Sequence, residues 1–596
     1  MTVEQKAVIY QLAVRYFGNV VARNQRDGTR AINGSGQFSD INPTAIRGLM
    51  ELGVTHVWLC GVLRQATLTD YTELGIAADP ADAVKGRAGS FFAVRDYFDV
   101  CPDYADQPAK RRDEFKSLVK RIHDAGLKVL VDLVPNHVAR TYDSIVRPEL
   151  SFGKGDDTSR FFARDNSYFY LTEPPGQVLR LPRPERWKPA GIRFTERLPI
   201  EDGSPGRPPR VSGNNVTSAQ PSVTDWYETV KLNYGYDFVA RHGEFEPVPR
   251  TWHLVDAIIE YWQMEMGVDG FRCDFAHYVP EQAWNYLIER ARTRAPRAYF
   301  VAAAYPRIDS GDPIERAEQL LSAGFDAVYH DESYDCLKRI YQGQSSLDAY
   351  ADALETTSET RARRLEYLEN HAERRVASPI FERSGPEDTG FGAARANLQL
   401  APLQLLCSSG PVILFNGQEV GEAAAGEEGF GGEDGRTTIY DYWTMPEFAK
   451  WVNGHAYDGG ALSAEQLQLR RYFQALGGLY QHPCIRGRGY WHLRDVNYAA
   501  QRRGLCAFAR FEPGEGEMLV VVANFRPRHE LADRIMISRA LAQAAALPTQ
   551  LTVRRVLDET AMPDAEPTVA IGLNELMGSG FAVRIPDQSA HVFSIR

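Results

Sequence analysis

At 596 residues the chain exceeds the roughly 250–300 residues at which single hydrophobic cores stop growing, so several domains are expected. A hydrophobic share of 44% and an aromatic share of 11% describe an ordinary globular composition with ample core. The net charge of −11, spread over this length, speaks against nucleic acid as a partner, because phosphate binding needs a concentrated basic face. The N-terminus, M-T-V-E-Q-K-A-V-I-Y-Q-L, enters a strand-like run directly, without the basic and apolar regions of a signal peptide. No segment approaches the roughly 20 apolar residues that span a bilayer, so no membrane partner is expected. Seven scattered cysteines without a C-x-x-C pair suit free thiols in a reducing compartment, and a cytoplasmic location is the expectation.

In chain order, strands are predicted near Val8–Val14, Thr55–Val62, Lys128–Val134, Gly267–Arg272, Tyr299–Ala303, Ala327–His330, Leu365–Asn370 and Val412–Asn416. They alternate with helix-like stretches, the pattern of an α/β protein with a parallel sheet. Eight such strands suit a (β/α)8 TIM barrel, whose site lies at the strands' C-terminal ends. Between His137 and about Asp237 the rhythm breaks, and Glu173 to Asn215 is dense in Pro, Gly and Arg. A stretch this long without rhythm reads as an inserted subdomain after the third strand. From about Tyr490, runs such as G-L-C-A-F-A-R-F and M-L-V-V-V-A-N-F predict an antiparallel β-sandwich domain. The expected division is a barrel over 1–137 and 238–489, the insertion over 138–237, and the C-terminal β domain over 490–596.

Two motifs carry chemistry. V-D-G-F-R-C-D-F-A-H, Val268 to His277, sets Arg272 and Asp274 two residues apart, on one side of a strand. A guanidinium beside a carboxylate keeps it ionised, and an ionised Asp in a pocket is a competent nucleophile. The same pair also reads as a buried ion pair holding a strand end. V-L-V-D-L-V-P-N-H-V, Val129 to Val138, is a continuous apolar run stopped by Pro135, with Asp132, Asn136 and His137 along it.

In order and content these segments resemble conserved regions of the α-amylase family, glycoside hydrolase family 13. A-G-S-F-F-A-V-R-D-Y-F-D-V-C-P-D-Y-A (Ala88 to Ala105), L-E-N-H-A-E-R-R (Leu368 to Arg375) and V-I-L-F-N-G-Q-E-V-G (Val412 to Gly421) extend the resemblance over nearly the whole chain. The resemblance implies retaining hydrolysis or transglycosylation of α-glucosidic bonds, α-1,4 by default, with an α-glucan or maltooligosaccharide as ligand. By the same resemblance Asp274 matches the nucleophile and Arg272 the group that orients it. Asp132, His137 and His371 match residues that hydrogen-bond the sugar, and Phe92 offers a ring to stack on it. Asn136 matches a calcium ligand of some relatives, though the rest of the roughly six to eight oxygens calcium needs are not identifiable in the sequence. No other cofactor is implied.

The chain departs from the family at two carboxylates. Where the family has its general-acid Glu, Y-F-V-A-A-A-Y-P (Tyr299 to Pro306) holds Ala303, and where it has a further Asp, N-H-A-E-R-R holds Ala372. Losing general acid catalysis slows such reactions by roughly 10²–10⁴-fold, so a chain nearly inert on ordinary glucans is expected. Glu373 follows at once, but a one-residue shift along a strand turns a side chain to the other face, so it is a poor substitute unless the chain is already leaving the strand there. Around the eighth strand's end, Glu419 and Glu422 are the nearest spare carboxylates, and Tyr440, Tyr442 and Trp443 are candidate stacking rings. Both an enzyme inactivated by substitution and a natural pseudoenzyme that binds glucan, or acts as a scaffold, fit these residues.

Overall fold

The computed structural model describes residues 5–184, 194, 198–304, 313–378, 394–430, 433–561 and 568–596. Eight short strands form one parallel sheet: β1 (Val8–Ala13), β2 (His56–Cys60), β3 (Lys128–Leu133), β4 (Gly270–Cys273), β5 (Tyr299–Ala302), β6 (Ala327–Tyr329), β7 (Arg364–Leu365) and β8 (Val412–Phe415). Their order is β7-β6-β5-β4-β3-β2-β1-β8. A parallel bridge from Glu366 to Val412 joins the two ends: Glu366 N–H donates to Pro411 O at 3.0 Å and Ile413 N–H to Glu366 O at 2.9 Å. The ring is a (β/α)8 barrel. Val/Leu-rich strands such as β3 are apolar on both sides because the barrel interior covers one face and the helices the other.

Helices start where the sequence supplies caps. Asn42 Oδ1 accepts the N–H groups of Thr44 and Ala45 at the head of Pro43–Met50. Ser463 and Gln466 form a capping box on Ala464–Leu479.

The expected seventh strand, Leu365–Asn370, is shorter than predicted. Pairing ends after Glu366, and Asn370 Oδ1 accepts Ala372 N–H at 2.8 Å and Glu373 N–H at 3.2 Å. A side chain that offers the backbone its own acceptor competes with the ladder and turns the chain.

Between β3 and β4 a short antiparallel ladder, His137–Ala139 with Thr229–Lys231, ties the excursion to the barrel rim. Residues 185–193 and 195–197 of its Pro/Gly/Arg-rich stretch, and 431–432 of the loop after β8, lie outside the described residues.

The C-terminal part carries a six-stranded sheet running from Gly489–His492 through Leu505–Phe511, Met518–Asn524, Ala590–Ile595 and Gln550–Leu557 to Val569–Gly572, its neighbours antiparallel. Leu531–Ile535 pairs with Phe581–Ile585 in a second, two-stranded sheet. Along Met518–Asn524 alternate residues serve two cores: Val520 and Val522 pack within this domain, while Leu519, Val521 and Ala523 join the barrel's cluster. That double burial explains an apolar run in a strand with antiparallel neighbours.

Candidate functional site

The centre is built from strand register. β3 and β4 align Asp132 with Arg272, and β5 sets Val301 on its other side. Arg272 and Asp274, two apart, share a face, and Arg272 Nη1 donates to Asp274 Oδ1. Arg272 Nε also donates to the Tyr329 hydroxyl at 3.3 Å. Its guanidinium lies 5.1, 5.6 and 5.5 Å from the ring centres of Trp58, Phe92 and Tyr329, an apolar collar that dries the ion pair. Burial raises the Asp274 carboxyl above its ordinary range, and Arg272 opposes that rise without cancelling it. The guanidinium therefore limits the shift rather than setting its direction.

A cavity of about 380 Å³ opens at the barrel's C-terminal mouth, and Asp274, His137, His371, Phe92 and Ala372 all line it. His137 follows β3 and His371 follows β7, so the fold brings together segments more than 200 residues apart in the chain. Burial, aided by the Lys231 charge, lowers the His137 pKa to about 3. Burial, then Arg272, lowers that of His371 well below its ordinary value. Both imidazoles are neutral hydrogen-bonding groups at neutral pH. Gln11 Nε2 donates to His371 Nδ1 at 2.8 Å, which leaves the ring proton on Nε2. The Phe92 ring lies 4.8 Å from that of His371.

Three expected site residues stand behind the lining. Arg272 holds Asp274 from below. Asp132 accepts Trp58 Nε1–H at 3.1 Å and Gly61 N–H at 2.8 Å, so the protein occupies both its oxygens. Burial pushes its pKa up to about 6 against the pull of Arg272. Ala303 is one residue past β5, where its N–H bonds Cys273 O and its carbonyl accepts Ala276 N–H, both at 3.0 Å. It therefore sits beside Asp274's strand, but it has no exposed surface and is not part of the cavity wall.

The turn at Asn370 meets the exception set for Glu373. Because the chain has left the strand, Ala372 and Glu373 both line the cavity. Glu373 accepts the Tyr334 hydroxyl at 3.1 Å and lies 3.6 Å from Lys338 Nζ. Neither Glu419 nor Glu422 reaches the cavity. Glu419 accepts the Tyr10 hydroxyl at 2.9 Å and pairs with Arg470 at 3.3 Å, and Glu422 accepts the N–H groups of Glu447 and Phe448, both at 3.0 Å. Of the candidate rings after β8, Tyr440 lines the cavity, whereas the Tyr442 hydroxyl donates to Asp103 at 2.8 Å behind it. Trp226, Phe275, Asp331 and Tyr334 also line it and were not singled out in the sequence. Phe275 lay within the Arg272–Asp274 motif, and its left-handed φ of 46° is invisible to periodicity. Trp226 sits in irregular chain with no local signal.

The surroundings of Asn136 do not suit calcium. Its Oδ1 accepts the Lys231 ammonium at 2.7 Å, and its Nδ2 donates to Gly213 O at 2.7 Å and to His137 Nδ1 at 3.1 Å. The oxygen that would face a metal already faces a protein cation, with Tyr278 and Phe238 rings 5.2 and 5.7 Å from it. Among the described residues no group of three or more His, Cys, Asp or Glu is placed to hold a metal ion. Among them also, no helix is long and apolar enough to cross a membrane.

Comparison with known proteins agrees with this fold. The model of the α-amylase catalytic domain matches residues 44–303. An α-amylase of Streptomyces lividans is 22% identical over 545 residues, covering 84% of this chain and 54% of that protein. A cyclomaltodextrinase of Geobacillus thermopakistaniensis is 23% identical over 429 residues, 71% of this chain and 55% of its own length. The chain spans about half the length of these curated relatives. Among solved structures, the α-amylase of Geobacillus thermoleovorans, complexed with acarbose, superposes with a TM-score of 0.59 at 16% identity, covering 99% of this chain and 98% of that one.

Proposed function

We propose that this chain, which has the fold of the α-amylase family and is homologous to its catalytic domain over residues 44–303, is an α-glucan-active protein. Its parent chemistry is retaining hydrolysis or transglycosylation of α-1,4-glucosidic bonds, and Ala303 and Ala372 leave it nearly inert on ordinary glucans. The observation that carries the reading is Asp274, ion-paired to a buried Arg272, facing one cavity with two neutral imidazoles, His137 and His371. In this role Asp274 attacks the anomeric carbon while the imidazoles donate to sugar hydroxyls. A retaining enzyme needs a second carboxyl about 5–5.5 Å from the first, to protonate the leaving oxygen. The residue in the matching position is an alanine.

One observation favours a second reading, a natural glucan-binding protein or scaffold without catalysis. Ala303 is fully buried and is not among the described residues that line the cavity, which suits a position with no catalytic side chain. Calorimetry with maltooligosaccharides, beside an assay of an Ala303→Glu, Ala372→Asp double variant, separates the two. Binding by the native chain, with cleavage restored in the variant, identifies an inactivated glycosidase. Binding without restored cleavage identifies a pseudoenzyme. Turnover of maltooligosaccharide by the native chain defeats the claim of inactivity, and failure to bind defeats both readings.

A further inference from the structure

A second pocket, of about 620 Å³, opens on the same end of the barrel, where the chain leaving β1 meets the chain leaving β2. Its wall carries the guanidiniums of Arg30 and Arg87 and the hydroxyls of Thr29, Ser35, Thr69 and Tyr71. In a chain of net charge −11, a concave wall with two cations and, among the described residues, no carboxylate is not an average piece of surface.

Both guanidiniums are aimed by the protein and little used by it. Arg87 Nε donates to Asp27 O at 2.7 Å, and Arg30 Nη1 donates to the Tyr71 hydroxyl at 3.0 Å. A guanidinium carries several further N–H donors, and among the described residues neither arginine forms an ion pair. Tyr71 is buried, and its hydroxyl donates in turn to Asp103 at 2.8 Å, so two bonds in series fix Arg30 against the fold. The carboxylates nearby are engaged from other directions. Asp103 also accepts the Tyr442 hydroxyl at 2.8 Å, Asp441 accepts the Arg87 N–H at 3.0 Å, and Asp70 accepts the Thr72 N–H at 3.1 Å.

One stretch of chain divides this pocket from the Asp274 cavity. Arg87 lines the one, Ser90 and Phe92 line the other, and between them Ala88 N–H donates to the carbonyl of Tyr440, itself a residue of the Asp274 cavity, at 3.0 Å. The two pockets are therefore separate places on one face. A planar fork of N–H donors matches the oxygens of a phosphate, and two forks in one concave wall bring charge and geometry together. The space exceeds what a bare ion fills and falls in the usual range of small-molecule pockets, roughly 300–1,000 Å³. Thr29 and Ser35 offer hydroxyls to a polyol, and Leu68 offers an apolar patch to the C–H face of a ring.

From these features we infer that the second pocket binds the phosphate ester of a small sugar. Arg30 and Arg87 grip the phosphate, and the hydroxyls with Leu68 receive the sugar.

Calorimetry on the full chain with glucose 6-phosphate, inorganic phosphate and glucose tests this. Glucose 6-phosphate should bind one molecule per chain and raise the melting temperature. Inorganic phosphate should bind at least about tenfold more weakly, and glucose more weakly still. The second proton of a phosphate monoester leaves near pH 6, so affinity should rise between about pH 5 and 7. Arg30→Met and Arg87→Met should each weaken binding at least about tenfold, with the urea midpoint of each variant reporting its folding. Ala31 is an exposed wall residue, so Ala31→Glu adds an anion while removing no native bond. It should weaken binding as much, whereas Ala31→Gln should not, and this pair decides the matter if an arginine variant fails to fold. Saturating maltotetraose should leave the affinity for glucose 6-phosphate unchanged. Absence of binding at millimolar glucose 6-phosphate overturns the assignment, as does binding that Ala31→Glu and the folded arginine variants leave intact. Displacement by maltotetraose overturns it by moving the ligand to the Asp274 cavity. Equal affinity for inorganic phosphate overturns the sugar's part in it.

Discussion

The two sides of the barrel mouth are held by different means. On the β3–β4 side the ladder fixes register, Arg272 stands beside Asp132, and both oxygens of Asp132 are taken by Trp58 and Gly61. Every one of these groups is buried. On the β7 side the ladder gives out after Glu366, and single side-chain bonds take over: Asn370 shapes the turn, Gln11 orients His371, and Arg375 Nη1 pairs with Glu369 at 3.0 Å. Buried charge on a backbone ladder tolerates little change. A turn shaped by side chains can lose one group and keep its outline, and Ala372, a cavity-lining position with only a methyl, is on that side.

The largest effect should come from breaking the tighter side. Arg272→Met leaves Asp274 and Asp132 buried without their cation, and removing one partner of such a pair costs about 3–5 kcal/mol. The urea midpoint should fall accordingly, and maltooligosaccharide binding should be lost. A midpoint drop no larger than that of Asn370→Ala would erase the contrast between the sides.

Asp132 should also give that side a distinctive pH dependence. Its pKa is raised to about 6 by burial, against roughly 3.9 in an unfolded chain. The folded state therefore binds the proton more tightly, and the stabilisation is complete below about pH 4 and lost as pH rises through about 6. The span is on the order of 2–3 kcal/mol. Glu369 and Glu428, each raised to about 7 by burial, extend the same trend upward, so the clean measurement is a difference. The stability of the native chain minus that of Asp132→Asn should decline between pH 4 and 6, and a flat difference would remove Asp132 from the account.

The sequence made the tighter side legible and the looser one only in part. V-L-V-D-L and G-F-R-C-D carry strand, register and chemistry in one local pattern, because buried parallel strands are continuous apolar runs. In L-E-N-H-A-E the same rule overran, since Asn370 competes for the backbone and alternation no longer says where Glu373 points. Trp226 joins the cavity through tertiary folding alone. Asp331, Tyr334 and Asp335 lie at the start of the helix Asp331–Tyr341, and H-D-E-S-Y-D gives no hint that its first turns face a site. Asn136 was legible as a polar strand end, but its partner Lys231 is 95 residues away and changes the meaning of the position.

On the looser side the expected effects are smaller. Asn370→Ala removes an acceptor for two backbone N–H groups and should cost about 1 kcal/mol, read as a shift of the urea midpoint. Because His371 adjoins the turn, ligand affinity should fall about tenfold, corresponding to about 1.4 kcal/mol. Loss of stability without loss of affinity would mean that Gln11 alone positions the imidazole.

The smallest expected effect is none at all, and it tests the junction between the tight side and the insertion. Lys231 reaches back from the insertion's ladder to Asn136, so a protein ammonium links the two parts where some relatives are expected to use a metal. A ligand that binds only the folded state stabilises it in proportion to ln(1 + [L]/Kd), and its removal lowers the melting temperature. With the Asn136 oxygen already engaged, neither a chelator nor millimolar calcium should move the melting temperature of the native chain. A drop on chelation, restored by calcium, would show that the junction is metal-dependent and that Lys231 only accompanies the ion.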